Sequence, residues 1–300
     1  MNVQKPELLF FYAESPVHWG TGTSVGVVDL PIQRERHTGY PTGQASGIKG
    51  ALRDWFEAAE GRESPGVLAA FGPESQASDH AGCVAFGDAR LIAFPVRTLK
   101  GTYAYCTSVD LLARLDRDLC LSGAEKTLPA LPSIDQALVG PGSPLLLQDL
   151  GITVEEYPVP AKEDARVAQV GEIIGALAAP ARFWAERLKT HLCVLPGDLL
   201  RDLVQMSTSI ETHVRIDNKT GTADDGGLFY EELLPSDSVL YSPIYVAPPL
   251  QPKNGAREGW PTEVRTMLLK VDKQRVQMGA GATTGRGVVF CRWGEGQADG

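Results

Sequence analysis

One carboxylate in the N-terminal part of the chain stands apart from other acids and beside a basic segment. Asp29 is the only acidic residue between Glu14 and Glu35. The basic residues Arg34 and Arg36 follow it closely. A carboxylate beside a phosphate-attracting loop could bind a divalent metal ion or help to activate a hydroxyl group for phosphoryl transfer. The alternative is that Asp29 caps a turn, and the residue types leave both interpretations open.

The charges are unevenly distributed along the chain. The 300 residues include 28 basic and 37 acidic residues, and the net charge of −9 argues against a free-standing nucleic-acid binder. Locally, residues 32–53 carry four basic residues against one acid, and residues 265–292 carry six against one. Residues 211–237 instead carry seven acids against two basic residues. This asymmetry predicts a polyanion-binding side and an acidic side, with ordinary solvated faces as the alternative.

A glycine-rich segment near the C-terminus has the composition of a loop that approaches phosphate groups. Within it, residues 279–284 have threonine where a dinucleotide-binding turn needs its third glycine, and they follow a helical pattern, which excludes a Rossmann turn. With Thr283, Thr284 and Arg286, the loop could present backbone N–H groups to phosphates or to a neighbouring subunit. The alternative is a plain connection. The run from Arg286 to Phe290 departs from the RNP1 signature by two valines, so base stacking there is not expected.

A serine motif predicts a different chemistry. Residues 22–26 match the GxSxG nucleophile elbow around Ser24, which requires a helix directly after the serine. Val27, Val28 and Pro31 do not begin a helix, so a small-molecule hydrolase is a disfavoured alternative. The five histidines lack HExxH or HxH spacing and the five cysteines lack a CxxC pair, so neither a preformed zinc site nor a disulfide framework is predicted. We expect the cysteines to be buried.

Hydrophobic periodicity predicts the elements that position these residues. The clearest helix covers 46–60, with Ser46 as its cap and Gly61 at its end. Its polar face carries Lys49 and Arg53. The other predicted elements are a strand over 7–13, an interrupted strand over 82–94, helices over 165–192 with a break at Pro180 and over 198–206 after a cap at Asp198, a hairpin over 211–233, a helix over 261–277 and a strand over 288–293.

This order of elements is typical of an α+β protein. No apolar run has the roughly 18 residues that a membrane helix needs. The N-terminus also lacks the pattern of a signal peptide. We therefore expect a cytoplasmic protein without a membrane partner.

Several sequence blocks match one known family. The blocks are HWGTG at 18–22, VDLPIQRERHTGYP at 28–41, GIKGALR at 47–53, HVRID at 213–217, TGT at 220–222, GGLFYEELLP at 226–235 and GATTGRG at 281–287. With these blocks the chain resembles the RAMP-superfamily backbone subunits of type III-B CRISPR (Cmr) effector complexes. The middle of the chain, residues 95–200, carries little motif.

The resemblance implies an α+β fold in which an RRM-like (ferredoxin-like) palm carries a β-hairpin thumb and a helical insertion. Within a single RAMP domain over 1–300, the palm core would cover about 5–94 and 258–293, the insertion about 95–206 and the thumb about 207–240. Several copies would stack helically along a CRISPR guide RNA, together with other Cmr complex subunits. The assembly would cleave paired single-stranded target RNA at regular intervals, as an endoribonuclease that uses a divalent metal ion (Mg²⁺ or Mn²⁺).

The resemblance also implies roles for individual residues. Asp29 occupies the position of the family's catalytic aspartate and would hold the metal ion. Secondary catalytic candidates are His18, Tyr230 and Glu232. The residues expected to bind RNA are Arg34, Arg36, Lys49, Arg53, Gly281, Thr283, Thr284 and Arg286. The 2′-hydroxyl of a displaced nucleotide would attack its own phosphate while Asp29 orients the ion or the hydroxyl. The alternative is a non-catalytic RNA scaffold subunit in the same kind of complex.

Overall fold

The structure is a computed structural model, and it describes residues 5–24, 26–73, 81–125, 127–148, 150–217, 219–247 and 260–294. Its strands are β1 (Glu7–Ala13), β2 (Thr42–Gly43), β3 (Val84–Phe86), β4 (Ala89–Arg97), β5 (Tyr103–Ser108), β6 (Ala137–Val139), β7 (Ile152–Val154), β8 (Tyr157–Val159), β9 (Ala161–Glu163), β10 (Leu192–Leu195), β11 (Ser209–Ile216), β12 (Ala223–Leu233), β13 (Val239–Val246), β14 (Gln274–Gln277) and β15 (Val288–Trp293). Its α-helices are α1 (Ala45–Glu60), α2 (Pro65–Phe71), α3 (Val109–Ser122), α4 (Ala165–Ala178), α5 (Arg182–His191), α6 (Gly197–Met206) and α7 (Trp260–Leu268). None of these helices is both long enough and apolar enough to cross a membrane.

Four antiparallel strands form the centre of the main sheet. Their spatial order is β15, β1, β13 and β4, so the first strand of the chain lies between the last one and β13. Along the chain, α1 lies between β1 and β4, and α7 lies between β13 and β15. This is the β-α-β-β-α-β arrangement of ferredoxin-like folds. The expected α+β fold is confirmed, and the strand order is consistent with an RRM-like palm.

Side chains that alternate along β1 divide the core into two layers. Leu9 and Phe11 belong to the layer that includes α1, α2, α6 and α7. Phe10 and Tyr12 belong to the layer on the other face of the sheet, under α3, α4 and α5. Burial on both faces explains why this strand is an uninterrupted apolar run. Phe290 lies in the second layer and is 4% exposed, in agreement with the expectation that bases do not stack on β15.

The segment between β4 and the hairpin supplies strands as well as the expected helices. β5 pairs with β4, β10 pairs with β5 in parallel, and β6 and β9 follow toward the sheet edge. The strands β6 to β9 are three residues each, too short to produce a readable alternation in the sequence. The insertion thus continues the palm sheet, and its predicted bounds as a unit remain a prediction.

The hairpin predicted from the acidic segment is confirmed. β11 and β12 pair with each other and, among the described strands, with no third one. We call this two-stranded ribbon the thumb. Asn218, a residue of the predicted turn, lies outside the described residues, as does residue 258, the predicted start of the second palm segment.

Helix boundaries differ slightly from the predicted ones. Gly61 ends α1 with a φ of 93°, as expected. The predicted cap at Ser46 is wrong, because the helix begins earlier and its N-cap is Gln44, which makes no side-chain cap bond. The predicted cap at Asp198 is also wrong. Pro196 is the N-cap of α6, and Asp198 lies in the first turn, where a negative charge still favours the helix dipole.

The helix predicted over 261–277 is too long. α7 ends at Leu268, a 3₁₀ turn follows over Leu269–Val271, and the chain then forms β14 along the edge of the palm sheet. Lys273 has a left-handed φ of 59°, which cannot continue a helix. Pairing with β15, a long-range interaction, therefore overrides the local helical periodicity.

The cysteines are mostly buried, as predicted. Four of the five are buried and all are free, whereas Cys120 on α3 is exposed. Burial raises the pKa of the Cys291 thiol, which keeps it protonated in the core. The expectation of burial is wrong only for Cys120.

Candidate active site

The loop after β1 runs alongside the second strand of the thumb. The Leu30 N–H donates to the Tyr230 carbonyl at 3.0 Å, and the Glu232 N–H donates to the Leu30 carbonyl at 2.9 Å. Val17 and Leu234 form a similar bridge, with both N–H to carbonyl distances at 2.9 Å. Two backbone bridges therefore fix this loop to the base of the thumb.

Asp29 lies at this junction with its side chain partly exposed. Its Oδ2 atom accepts a hydrogen bond from the Tyr230 N–H at 2.8 Å, and its carbonyl accepts one from the Ser24 N–H at 2.8 Å. Within the described residues the Oδ1 atom has no hydrogen-bond partner. One carboxylate oxygen is thus held in position and the other is available, an arrangement suited to accepting a proton or binding a cation.

Glu232 is buried between the loop and the thumb, with 6% of its surface exposed. Its Oε1 atom accepts hydrogen bonds from Arg34 Nη2 at 2.5 Å and from Thr208 Oγ1 at 2.8 Å. Its Oε2 atom accepts one from the Ile32 N–H at 3.0 Å. The Glu232 carboxylate therefore accepts three hydrogen bonds from within the protein. These contacts support a positioning role, and the catalytic role of Glu232 remains a prediction.

His18 is also enclosed at the junction, at 7% exposure. Its Nδ1 atom donates to the Glu232 carbonyl at 2.8 Å and lies 3.5 Å from the Glu231 carboxylate. Its Nε2 atom faces Gly20, where an added Cβ would lie only 2.4 Å away. The imidazole therefore joins the loop to the thumb. Tyr230, by contrast, is 38% exposed and is the more accessible of the secondary catalytic candidates.

The four cations predicted to bind RNA in the N-terminal part differ in their availability. Arg34 is held by Glu232 and by two backbone carbonyl groups at 2.9 and 3.0 Å. Arg53 donates to Glu57 on the next turn of α1 at 2.6 Å. Arg36 and Lys49 form no ion pair with any described residue, and Arg36 is exposed. The charges of Arg36 and Lys49 are therefore available to bind phosphate groups.

The glycine loop between β14 and β15 requires glycine for backbone geometry. Gly279, Gly281, Gly285 and Gly287 all have φ between 76° and 79°, the left-handed region. A Cβ at Gly279 or Gly287 would lie 2.4 or 2.2 Å from a backbone carbonyl oxygen. A Cβ at Gly285 would meet no atom within 4 Å. The outer two glycines therefore serve the fold, and the inner two shape the loop surface.

The side chains of this loop are only partly available for RNA. Thr283 is exposed, whereas Thr284 Oγ1 donates to the Gly281 carbonyl at 2.9 Å. Arg286 forms an ion pair with Glu211 of the thumb. The N–H groups of residues 281–283 have no hydrogen-bond acceptor among the described residues. Successive free N–H groups in a glycine turn form a concavity suited to an anion, and backbone contact of this loop with phosphate stays a prediction.

The basic excess over residues 265–292 is largely neutralised within the chain. Five of its six basic residues form ion pairs, namely Arg265 with Glu7, Lys270 with Glu60, Lys273 with Asp272, Arg275 with Glu14, and Arg286 with Glu211. Most of these partners lie far away in the sequence, so a local count of charges could not reveal them. The cationic side inferred from this segment is therefore much weaker than its composition indicates.

Asp29 does not belong to a group of protein ligands that could surround a metal ion by themselves. The one such group in the described part of the chain consists of Glu211, His213 and Glu231. Asp29 instead offers a single carboxylate with one available oxygen. That fits Mg²⁺, which proteins commonly bind through one or two carboxylates together with substrate phosphates and water.

Ser24 does not form a nucleophile elbow. Its Oγ atom accepts a hydrogen bond from the Gly26 N–H at 3.2 Å, inside a loop. The elements described on either side are β1 and the two-residue strand β2, so no helix follows the serine directly. Val25, the residue after the serine, lies outside the described residues. These surroundings do not support the hydrolase alternative.

A ferredoxin-like palm joined to a hairpin thumb, with an aspartate at their junction, is the architecture that the sequence blocks predict for RAMP proteins. The RAMP superfamily model matches residues 10–289, and the chain belongs to that superfamily. Within it, the chain is 36% identical over 286 residues to the CRISPR system Cmr endoribonuclease Cmr4 of Pyrococcus furiosus, which covers 95% of this chain and 94% of that protein. The expected family is confirmed.

Solved structures agree with this assignment. The crystal structure of oligomeric Cmr4 from Pyrococcus furiosus matches with a TM-score of 0.74 and 30% identity, over 97% of this chain and 98% of that chain. A chain in the cryo-EM structure of the type III-B Cmr-beta complex bound to cognate target RNA has a TM-score of 0.75 and 20% identity, over 98% of both chains. At 20% identity, the match to the Cmr-beta chain shows that the two chains share a fold.

Proposed function

We propose that this chain is a guide-RNA-binding backbone subunit of a type III-B CRISPR effector complex and that it cleaves complementary target RNA at regular intervals. The observation that carries the proposal is an aspartate with one available carboxylate oxygen at the base of the thumb, in a chain 36% identical to a Cmr endoribonuclease. The proposed partners are a guide RNA, single-stranded target RNA, further copies of this chain and other Cmr subunits. The oligomeric Cmr4 relative supports the association of copies.

The proposed reaction is a transesterification within the target RNA. The 2′-oxygen of a nucleotide displaced by the thumb attacks its own 3′-phosphate, and the bond from phosphorus to the 5′-oxygen of the next nucleotide breaks. The products are a 2′,3′-cyclic phosphate and a 5′-hydroxyl end. Asp29 orients the attacking hydroxyl group and accepts its proton, while the leaving oxygen takes a proton from water. The assignments of Tyr230, His18 and Glu232 as catalytic residues are predictions.

A divalent ion, Mg²⁺ or Mn²⁺, is part of the proposal, and Asp29 would hold it together with the RNA phosphate. Such an ion would stabilise the negative charge that develops on the phosphate oxygens. We expect excess EDTA to stop cleavage by a guide-loaded complex while the guide stays bound, and added Mg²⁺ or Mn²⁺ to restore it. The measurement is target cleavage on a denaturing gel beside guide retention in a filter assay. Cleavage that continues in EDTA would contradict the metal requirement.

A non-catalytic scaffold subunit is the second candidate function. It is favoured by one observation, the hydrogen bond from the Tyr230 N–H to Asp29, which a purely structural aspartate also makes. The two functions differ in one outcome. A guide-loaded complex with a catalytic subunit cuts complementary RNA in the presence of metal, whereas one with a scaffold subunit binds the same RNA and leaves it intact.

Lys49→Ala is expected to weaken guide-RNA binding equally for all guide sequences. Lys49 has no ion-pair partner among the described residues, so its ammonium group is free to act on phosphate as a point charge. Loss of one phosphate contact should reduce the slope of log affinity against log salt by about one unit. Lys189→Ala is the matched control, because Lys189 already pairs with Glu172 at 2.8 Å on the opposite face of the sheet. An unchanged slope in Lys49→Ala would show that this lysine is merely solvated.

Replacing Gly281 and Gly285 together by valine is expected to impair complex assembly or guide binding while the monomer stays folded. Their φ values of 79° and 76° disfavour a β-branched residue, and a Cβ at Gly281 would lie 2.9 Å from Arg286 Cβ. Size-exclusion chromatography and guide affinity measure the effect. Gly142→Val is the control, because Gly142 has a φ of 67° in open surroundings elsewhere in the chain. Wild-type assembly and affinity in the double variant would make the loop a plain connection.

A further inference from the structure

One cluster of side chains on the thumb has no part in the proposed reaction. Glu211 and His213 are two residues apart on β11, so their side chains lie on the same face of the ribbon. Glu231 is the register partner of Glu211 on β12. One ligand atom from each of these three residues lies within 4.8 Å of the other two. All three side chains are partly buried, with 29%, 36% and 16% exposed for Glu211, His213 and Glu231.

Two side chains outside the cluster lie beside its carboxylates. His213 Nε2 lies 3.1 Å from Glu231 Oε2 and 4.0 Å from Glu211 Oε2. The other oxygen of each carboxylate lies beside a side chain outside the cluster. Glu211 Oε1 pairs with Arg286, and Glu231 Oε1 lies 3.5 Å from His18 Nδ1. Two carboxylate oxygens and one imidazole nitrogen therefore converge, and Arg286 holds the Glu211 carboxylate in its orientation, as outer partners commonly do around metal ligands.

A cation bound between the two carboxylates would also relieve the repulsion between their charges. Glu211 and Glu231 face each other directly across two neighbouring strands, an arrangement in which like charges are destabilising. Among the described residues the ribbon pairs with no third strand, and its base is joined to the palm loop only by the isolated bridges at Leu30 and Val17. Phe229 stacks on the imidazole of His213 at a centroid distance of 5.0 Å and an angle of 18°, which fixes the plane of the ring.

We infer that Glu211, His213 and Glu231 form a binding site for one divalent transition-metal ion, Zn²⁺ or Mn²⁺. One imidazole with two carboxylates is a ligand set that such ions accept, whereas Mg²⁺ favours oxygen ligands alone. The bound ion ties the two strands of the thumb together near its base. The site uses none of the residues proposed to hold the metal at Asp29, and its test needs no RNA.

Isothermal titration of the purified full-length chain, stripped with EDTA and free of RNA, tests the inference. The Cys120→Ser variant serves as the background, because the exposed thiol of Cys120 could bind Zn²⁺ by itself. Titration with ZnCl₂ or MnCl₂ should give one ion per chain, at least tenfold tighter than MgCl₂. His213→Ala and Glu211→Gln should each weaken binding by at least about tenfold. The glutamine variant keeps the size of the side chain, so it tests ligation even if the alanine variant disturbs the Phe229 stack.

His37→Ala is the matched control, because His37 has 74% of its side chain exposed and lies outside the cluster. It should bind the ion as tightly as the background protein does. Absence of saturable binding by either ion would overturn the inference. Equal binding in the background, Glu211→Gln and His213→Ala proteins would also overturn it and place the bound ion elsewhere in the chain. None of these outcomes bears on whether Asp29 supports RNA cleavage, so the two proposals fail independently.

Discussion

Asp29→Asn is expected to reduce target-RNA cleavage by about a hundredfold or more, while guide loading and target binding stay near wild type. Asparagine keeps the size of the side chain and an oxygen that can accept the Tyr230 N–H, now bonded at 2.8 Å, so the junction should keep its shape. It loses the negative charge that metal binding and proton acceptance require. The measurement is the single-turnover cleavage rate of a guide-loaded complex at saturating Mg²⁺, together with the melting temperature.

A matched aspartate elsewhere in the chain controls for the loss of charge. Asp116 also accepts a backbone N–H, that of Leu128 at 2.7 Å, and lies on α3 away from the thumb. Asp116→Asn should cut RNA at the wild-type rate. If Asp29→Asn also cuts at that rate with metal present, the catalytic assignment fails and the scaffold function becomes the better account. A loss of cleavage that is accompanied by loss of target binding would assign Asp29 to RNA binding.

The palm could be predicted from the sequence where the structure depends on local patterns. Burial on both faces makes β1 an apolar run, and burial on one face gives α1 its helical spacing. Polar and apolar residues alternate along both strands of the thumb, and turn-forming residues lie between the strands, so the hairpin could be recognised as well. β14 could not be recognised, because only Val276 of its four residues is buried and its identity as a strand depends on pairing with β15.

The candidate site shows a different limit. Motif resemblance pointed to Asp29 and to the thumb, and the structure brings them into contact across about two hundred positions of sequence. The partners of the cations were not predictable in this way. The sequence predicts Arg34 and Arg286 as charges available to RNA. In the structure, Arg34 forms an ion pair with Glu232, and Arg286 forms one with Glu211. The cluster of Glu211 with His213 was also missed, although their spacing of two on a predicted strand already placed them on one face.

Glu232→Ala is expected to lower both the stability of the protein and its cleavage rate. The substitution leaves Arg34, the Ile32 N–H and Thr208 without the acceptor they share, in a region where Glu232 is 6% exposed. Removing one partner of a mostly buried pair costs about 2–4 kcal/mol, which for a chain of this size corresponds to a fall in melting temperature of roughly 3–6 °C. Ile32 and Arg34 follow Asp29 in the same loop and lose their side-chain acceptor, so we expect the loop to shift as well. A shift of about 1 Å at a reacting group costs about a hundredfold in rate.

A double-mutant cycle with Arg34→Ala separates positioning from direct contact with RNA. If Glu232 and Arg34 act as one brace, each single variant should lose stability and cleavage together, and the double variant should lose little more than the worse single one. A catalytic Glu232 would instead give lost cleavage at an unchanged melting temperature, with an independent, additive loss from Arg34→Ala. An Arg34 that binds RNA would reveal itself by a smaller salt slope of guide binding in Arg34→Ala. Because the guanidinium group already donates to Glu232 and to two carbonyl groups, we expect that slope to stay unchanged.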